Sequence, residues 1–447
     1  MGVDRAAGGI PGTGGPAAGE RAVDLAAAVG SGRRSAVEVV AVALERAARL
    51  DEVLHAFVSI DPDRALAEAQ AVDDRCRRGE PLPLAGVPVP LKATQSPDGP
   101  LATRLRAAGA VVIGSTSVPP RGYHQTWGCT PAGRTRNPWD LARSPGGSSA
   151  GAAAAVAAGI VPLATGGDSA GSLRIPAAFC GLVGHKPTTG LLARRRPGRF
   201  RLTTSGALTR AVVDQARFLD ALAGGPPGAL EVALDQAAGR PLRAAWSDDL
   251  GHVPVDPSLA ARARSRADDL AADGAISWVD LPVTLPSLRH VWGRLRRAER
   301  MALRGEPVPD DLVTADDLAV RAATRSELDR LLGVVDVLLL PTTPVGAQPV
   351  DEDPPGYECE LTWAFNVAGL PATSVPAGTT ADGRHAGLQL VARRGHDAAC
   401  LWLARQLERR HGVAAAAPLA ATHDAPRPPR PAVPDGPGDL TGAGRAG

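Results

Sequence analysis

The sequence predicts an α/β protein in which helices cover both faces of a largely parallel β-sheet. The first observation is that short apolar runs alternate with longer segments of helical periodicity along most of the 447 residues. The second is that several apolar runs are continuous, which is typical of strands buried on both faces. The third is a content of 44% apolar and 21% charged residues, which allows a sizeable core.

The apolar runs give the strands, and the segments between them give the helices. The predicted strands are 85–91, 110–113, 160–164, 244–246, 335–340 and 387–391. The predicted helices include 35–50, 61–77, 149–158, 214–223, 257–272 and 397–409. Ser35 and Asp61 begin two of these helices, and Pro62 follows Asp61, so both residues are predicted N-caps.

One domain is expected between residues 21 and 412. Chain length alone would suggest about three domains. However, no linker-like break and no internal repeat interrupts this part of the sequence. Residues 1–20 and 413–447 are rich in Gly, Pro and Ala, so both ends are predicted to be disordered.

Charge and cysteine content exclude several classes of function. The 49 basic and 47 acidic residues give a net charge of +2 without a long basic block, so no nucleic-acid partner is expected. The five cysteines are widely spaced and never form C-x-x-C, which argues against disulfides and zinc and fits a reducing cytoplasm. No H-x-x-x-H, HExxH or phosphate-binding loop occurs, so neither a metal nor a cofactor is expected.

Membrane association is not expected either. The longest apolar run, 150–164, is too short and too weakly apolar to span a bilayer. The beginning of the chain lacks the apolar core of a secretory signal.

Lysine is rare in this chain. Only two of the 49 basic residues are lysines, Lys92 and Lys186. A coding bias towards arginine explains most of this, but the two residues also differ chemically, because a buried ammonium can lose its proton whereas a guanidinium stays charged. The two lysines therefore either mark sites that need a neutral amine or remain by chance.

A Gly-rich turn ending in two serines is the first candidate for chemistry. Pro145, Gly146 and Gly147 form the turn, and Ser148 and Ser149 follow directly before an Ala-rich helix. One interpretation is that a serine caps this helix. Another is a nucleophile elbow, because residues 147–151 match G-x-S-x-G, but the preceding residues do not look like a strand.

A second loop of small residues, 165–172, is the other candidate. Its consecutive backbone N–H groups can point into one cavity and stabilise negative charge. Ser172 would then lie beside an oxyanion hole formed by the N–H groups of Ser169, Ala170, Gly171 and its own. The alternative is a tight turn braced by an ion pair between Asp168 and Arg174, and the two interpretations are compatible.

A serine nucleophile needs a base, and neither loop contains a histidine. Lysine can take this role if burial lowers its pKa from about 10.4 towards neutrality. Lys92 ends the apolar run LAGVPVPLK, at the strand edge where α/β sheets collect their sites. The alternative is an ordinary lysine in contact with solvent.

These motifs together resemble the amidase signature family. The resemblance is carried by LAGVPVPLK, RNPWDLARSPGGSSAGAAAAVAAG, GGDSAGSLRIPAAFCGLVGHKPTTG and the late PTTPVG, FNVAGLPATSVPAG and GLQLVAR, and it spans residues 26 to 408. It implies a large mixed central β-sheet covered by helices on both faces. It also implies hydrolysis of a small-molecule carboxylic amide to an acid and an amine or ammonia. A homodimer is a separate expectation for the assembly.

The resemblance also implies a role for each motif residue. Ser172 is expected to be the nucleophile that forms an acyl-enzyme, Ser148 the bridging serine of a Ser–cis-Ser–Lys triad, and Lys92 the base. The oxyanion donors fall on the loop that contains Ser169, Ala170 and Gly171.

The sequence departs from the family pattern around the lysine. Ala93 and Thr94 stand where the family usually has Asp-Asn, and residues 92–104 form a shortened segment. Two alternatives therefore stay open. One is a non-catalytic relative that acts by binding a partner, and the other is an amidotransferase A-type subunit.

Overall fold

A computed structural model describes residues 19–120, 126–192, 200–224, 226, 228–236, 239–352 and 359–419. These residues form thirteen α-helices and thirteen β-strands, and the strands make three sheets. The strands are β1 (Phe57–Ile60), β2 (Pro88–Lys92), β3 (Val111–Thr116), β4 (Cys129–Thr130), β5 (Gly133–Arg134), β6 (Leu163–Asp168), β7 (Val183–Lys186), β8 (Thr204–Thr209), β9 (Leu242–Trp246), β10 (Ile276–Trp278), β11 (Val337–Pro341), β12 (Ala372–Thr379) and β13 (His385–Ala392).

The helices lie between these strands. They are α1 (Ala22–Gly30), α2 (Ala36–Leu54), α3 (Pro62–Arg77), α4 (Pro100–Ala107), α5 (Ala150–Ala157), α6 (Arg174–Cys180), α7 (Val212–Ala223), α8 (Ala229–Asp235), α9 (Pro257–Ala272), α10 (Arg289–Arg304), α11 (Ala315–Val334), α12 (Trp363–Val367) and α13 (Asp397–His411). All six predicted strands and all six predicted helices overlap observed elements. The predicted caps are confirmed: the Ser35 hydroxyl accepts from the Glu38 N–H, and the Asp61 carboxylate accepts from the Arg64 N–H.

The central sheet has eight strands in the order β10-β9-β11-β13-β12-β7-β8-β6. The expectation of a largely parallel sheet is wrong, because five of its seven strand pairs are antiparallel. The pair β12–β13 illustrates the reason, since Thr379 faces His385 across a tight turn that can join only antiparallel strands. The mixed sheet implied by the family resemblance is confirmed.

Helices pack on both faces of this sheet, as β11 shows. Val337 and Leu339 contribute to one hydrophobic core, whereas Leu338 and Leu340 contribute to a second core on the opposite face. Successive side chains of a strand point to opposite faces, so this continuous apolar run is buried on both sides.

A smaller sheet places Lys92, at the end of β2, beside the central sheet. Its order is β1-β3-β2, and β2 lies next to β6. The Lys92 N–H donates to the Thr165 hydroxyl at 3.2 Å, and the Gln95 side chain donates to the Gly166 carbonyl at 3.0 Å. Side chains rather than a backbone ladder therefore hold the end of β2 against β6.

Helix α5 lies at the centre of the molecule and fixes the first serine loop. All eight of its residues are buried, and it packs against β6, α6, β2, β8, α2 and β3. Its sequence, AGAAAAVA, permits this close approach: a Cβ added to Gly151 would lie 1.9 Å from the Ala56 carbonyl oxygen. A larger residue there would collide with backbone.

Disorder is predicted for residues 1–20 and 413–447, of which 1–18 and 420–447 lie outside the described residues. The domain boundaries stay predictions. In the described part of the tail, Ala417 is buried and its N–H donates to the Ala157 carbonyl at 2.7 Å. None of the helices in the described ranges combines the length and apolarity needed to cross a bilayer.

Candidate active site

Lys92 ends β2 with its amine inside the molecule. The residue is 3% exposed. Its Nζ lies 2.8 Å from Ser148 Oγ, 2.9 Å from Ser149 Oγ and 3.2 Å from the Gly167 carbonyl oxygen. The structure thus contradicts the interpretation of Lys92 as a solvated surface lysine.

Burial is the main cause that lowers the pKa of the Lys92 amine from 10.5 to about 7. The Arg296 guanidinium contributes to this lowering, and the Asp168 carboxylate acts in the opposite direction. A large fraction of the amine is therefore neutral near neutral pH. A neutral amine has two N–H donors and one lone pair, which matches its three observed neighbours.

Ser148 connects the amine to Ser172. The peptide bond between Gly147 and Ser148 is cis, and Ser148 Oγ lies 3.0 Å from Ser172 Oγ. Both serines are buried, with exposed fractions of 5% and 2%. The structure therefore brings Lys92, Ser148 and Ser172 together in one hydrogen-bonded chain that can carry a proton.

Ser149 has a different role from the one its position suggests. It is the N-cap residue of α5, but its side chain makes no capping hydrogen bond. Its hydroxyl instead contacts the Lys92 amine at 2.9 Å. The interpretation that a serine side chain caps this helix is therefore wrong, and the Ser149 hydroxyl belongs to the amine site.

An ion pair fixes the second loop, which follows β6. The Asp168 carboxylate accepts from Arg174 Nε at 2.9 Å and Nη2 at 3.0 Å, and both side chains are fully buried. This confirms the predicted brace. Burial by itself raises the pKa of Asp168, but the neighbouring Arg174 guanidinium outweighs it and holds the pKa well below its ordinary value.

Residues far along the chain complete this network. Arg174 donates to Gln389 Oε1 and to Asn366 Oδ1, both at 2.6 Å, and to the Thr362 carbonyl at 3.0 Å. Gln389 and Asn366 are not predicted as site residues from the sequence, although they lie inside the motifs GLQLVAR and FNVAGLPATSVPAG.

The backbone of the predicted oxyanion loop is held in place. The Gly171 N–H donates to the Asp168 carboxylate at 2.8 Å, so this group is already engaged and is not a ready oxyanion donor. Gly171 has φ +99°, and a Cβ there would lie 2.4 Å from Thr362 Oγ1, so the position requires glycine. The N–H groups of Ser169, Ala170 and Ser172 stay predicted donors.

Arg296, on α10, is a site residue that the sequence did not reveal. Its guanidinium contacts the Ser169 hydroxyl in the loop and acts on the pKa of Lys92. No motif surrounds it, and α10 carries arginine at many positions, so no signal distinguishes it in the sequence.

Lys186, the second lysine, ends β7, and its amine makes no hydrogen bond to a serine of the described residues. It is fully buried, and its Nζ donates to the Pro187 carbonyl at 3.2 Å. Burial and, to a smaller extent, the Arg174 guanidinium lower its pKa to about 7, against the opposite effect of the Asp168 and Asp397 carboxylates. In the described ranges no three His, Cys, Asp or Glu side chains are grouped so as to hold a metal ion.

Comparison with known proteins gives the relationship of this chain. The sequence profile of the Amidase family matches residues 38–103, 93–298 and 293–401. An acylamidase of Rhodococcus erythropolis is 32% identical over 460 aligned residues, which cover 87% of this chain and 94% of that protein. The A-type subunit of the glutamyl-tRNA(Gln) amidotransferase of Thermobifida fusca is 44% identical over 228 residues, 46% of each chain.

Solved structures agree with the sequence comparison. The crystal structure of a bacterial aryl acylamidase of the amidase signature family matches with a TM-score of 0.76 and 25% identity, covering 88% of this chain and 96% of that one. These similarities identify a hydrolase that acts on amide bonds. The chain belongs to the amidase signature family.

Proposed function

We propose that the protein hydrolyses a small-molecule carboxylic amide through an acyl-enzyme on Ser172, with Lys92 as base and Ser148 as the bridge. The observation that carries this proposal is the continuous chain Nζ–Oγ–Oγ, with distances of 2.8 Å and 3.0 Å. These distances lie in the range needed for proton transfer.

The first step activates the nucleophile. Neutral Lys92 accepts the proton of Ser148, which in turn accepts the proton of Ser172. The Ser172 oxygen then attacks the amide carbonyl carbon and forms a tetrahedral intermediate. Ser149 and the Gly167 carbonyl lie within hydrogen-bond reach of the amine and hold it in place for this transfer.

The second step expels the amine. The C–N bond breaks, and the proton held by Lys92 returns through Ser148 to the departing nitrogen. Water then attacks the ester on Ser172 and releases the carboxylic acid. The N–H groups of Ser169, Ala170 and Ser172 are the proposed donors to the oxyanion, and the Asp168–Gly171 hydrogen bond fixes the loop that carries them.

A fluorophosphonate probe tests this assignment, because it forms a covalent bond to an activated serine oxygen with loss of fluoride. We expect the wild-type protein to be labelled at Ser172 and the Ser172→Ala variant to remain unlabelled. Ser374→Ala is the matched control, since Ser374 is also buried and bonds to Thr342 instead. Labelling of Ser172→Ala equal to that of the control would contradict the proposal.

An amidotransferase A-type subunit is a second candidate. It is supported by the 44% identity to the Thermobifida fusca protein, although the alignment spans less than half of each chain. Co-purification with a second subunit would favour it. A non-catalytic relative is the third alternative, and an intact fold without labelling at Ser172 would favour that one.

We also propose that the protein works in a reducing compartment, as expected for the cytoplasm. All five cysteines are free. Burial raises the pKa of the Cys180 and Cys400 thiols, which keeps them unreactive. A homodimer stays a prediction from the sequence.

A further inference from the structure

A cavity of about 350 Å³ has none of the three proposed catalytic residues in its lining. Its lining residues come from the segment after β7, the residues that precede β8, α11, α12 with the turn that follows it, and the turn after β13. Its walls include four arginines, Arg201, Arg321, Arg325 and Arg394, and none of the described residues that line it is an aspartate or a glutamate.

The four guanidinium groups are not neutralised by ion pairs with described residues. Arg321 donates to the Phe200 carbonyl at 3.3 Å, and Arg394 donates to the Thr189 and Ala368 carbonyls at 3.1 Å and 3.2 Å. Arg201 and Arg325 are exposed and form no hydrogen bond with the described part of the chain.

Two of these positive charges, on Arg321 and Arg325, repel each other. Burial lowers the pKa of Arg321, and the neighbouring Arg325 lowers it further, while Glu299 acts in the opposite direction. The Glu299 carboxylate is itself engaged by the Phe200 N–H at 2.7 Å and the Leu202 N–H at 3.1 Å. The guanidinium groups therefore line the same cavity, and no carboxylate of a described residue lines it with them.

Buried polar groups without partners point to the same place. The Thr189 hydroxyl lines the cavity, and the residue is only 7% exposed, yet this hydroxyl has no hydrogen-bond partner among the described residues. Arg321 Nε is also buried without a partner there. Buried donors are normally satisfied, so these two indicate that a ligand supplies the missing acceptors.

We propose that this cavity binds a phosphate group, either as inorganic phosphate or as part of a small phosphorylated metabolite. Planar guanidinium groups donate in pairs to phosphate oxygens, and charge-assisted hydrogen bonds of this kind are strong. The Thr189 hydroxyl and Arg321 Nε supply further donors. This binding does not depend on the catalytic roles proposed above.

Asn366 connects the cavity to the loop that holds Ser172. It lines the cavity, accepts from Arg174 at 2.6 Å and donates to the Asp168 carboxylate at 3.0 Å. Asp168 in turn holds the Gly171 N–H. The rate of amide hydrolysis with and without phosphate is therefore an informative second readout, separate from binding itself.

Isothermal titration calorimetry of the full chain with inorganic phosphate tests the site, and sodium chloride keeps the ionic strength constant. We expect saturable binding of one phosphate per chain. The double substitution Arg201→Gln and Arg325→Gln should weaken it at least about tenfold, because each guanidinium supplies a charge-assisted contact. Both side chains are exposed, so thermal unfolding should confirm an unchanged fold.

Two variants show whether binding is specific. Thr189→Val keeps the shape of the side chain but removes the hydroxyl, and we expect it to weaken phosphate binding severalfold. Arg262→Gln removes an exposed arginine of α9 and should leave binding unchanged. Equal weakening by Arg262→Gln and by the double variant, or no saturable binding of phosphate, would overturn the proposal.

The source of the phosphate group is distinguished by a second titration with glycerol 3-phosphate, a simple phosphomonoester. Tighter binding of the ester than of inorganic phosphate supports a phosphorylated metabolite as the ligand. Tighter binding of inorganic phosphate supports the free ion. Affinity for either compound that survives the double substitution contradicts the arginine site.

Discussion

The two lysines of this chain occupy similar positions but different surroundings. Lys92 ends β2 and Lys186 ends β7, both are buried, and burial lowers the pKa of each to about 7. Only Lys92 contacts hydroxyl groups, whereas the Lys186 amine donates to the carbonyl of the next residue. A neutral amine is therefore necessary for the proposed chemistry but not sufficient, because a base also needs a path for the proton.

The most severe test of this comparison is to remove each amine in turn. We expect Lys92→Met to lower kcat/KM on an amide substrate at pH 8 by at least about 10³-fold, since the relay then has no base. Lys186→Met should stay within about threefold of the wild type, because its amine lies outside the relay. Steady-state kinetics measures both, with circular dichroism as a check of folding. A well-folded Lys186→Met protein with the larger loss would break the comparison.

A smaller expected effect concerns the pH dependence of stability. Lys186 is better suited than Lys92 to measure it, because the Lys186 amine lies outside the proposed proton relay. Its pKa falls from 10.5 in the unfolded chain to about 7 in the folded protein. Between these values the unfolded state binds more protons, so the free energy of unfolding rises with pH across this window. Lys186→Met removes this dependence and should stabilise the protein by about 1–3 kcal/mol at pH 7.

Urea denaturation at pH 7 and at pH 10 measures this difference in stability. The advantage of Lys186→Met should shrink towards pH 10, where the wild-type amine is largely neutral even in the unfolded chain. An advantage that is equally large at both pH values would show that packing rather than ionisation sets it.

The smallest expected effect concerns Arg296, whose guanidinium lowers the pKa of Lys92, whereas Arg174 is the guanidinium that lowers the pKa of Lys186 most. Arg296→Gln should therefore raise the pKa of Lys92 and move the acidic limb of the kcat/KM profile to higher pH. A shift of about half a unit would cost about threefold at pH 6.5 and little at pH 9. Arg297 is the next residue and is exposed, so Arg297→Gln is the control. Its pH profile of kcat/KM should match that of the wild type.

The sequence reveals the serines and Lys92 because each lies in a local pattern with a physical meaning. Glycines and small residues around Ser148 and Ser172 mark loops with unusual backbones, and an apolar run that ends in Lys92 marks a strand edge. Arg296 carries no such pattern, since a single polar residue on an arginine-rich helix looks like surface. Its contact with Ser169 depends on folding across 127 residues of sequence.

The pattern of apolar runs also does not predict whether neighbouring strands pair parallel or antiparallel. Alternating helices and strands suggest parallel pairing, yet β7 and β8, which are consecutive strands in the chain, pair antiparallel. Strand β8 has the sequence TSGALT, which contains too few apolar residues to be recognised as a strand from the sequence. Most residues of β8 are nevertheless buried by neighbouring elements. The tertiary environment, rather than local composition, defines such strands.

The buried alanine helix α5 determines how the protein should lose activity on heating. None of its side chains is larger than valine and all are enclosed, so the segment cannot slip, fray or rotate without opening the surrounding layers. Its amide hydrogens should then exchange with deuterium only when the whole domain opens. Loss of catalysis and loss of structure should share a single midpoint, with no warm state that is folded but inactive.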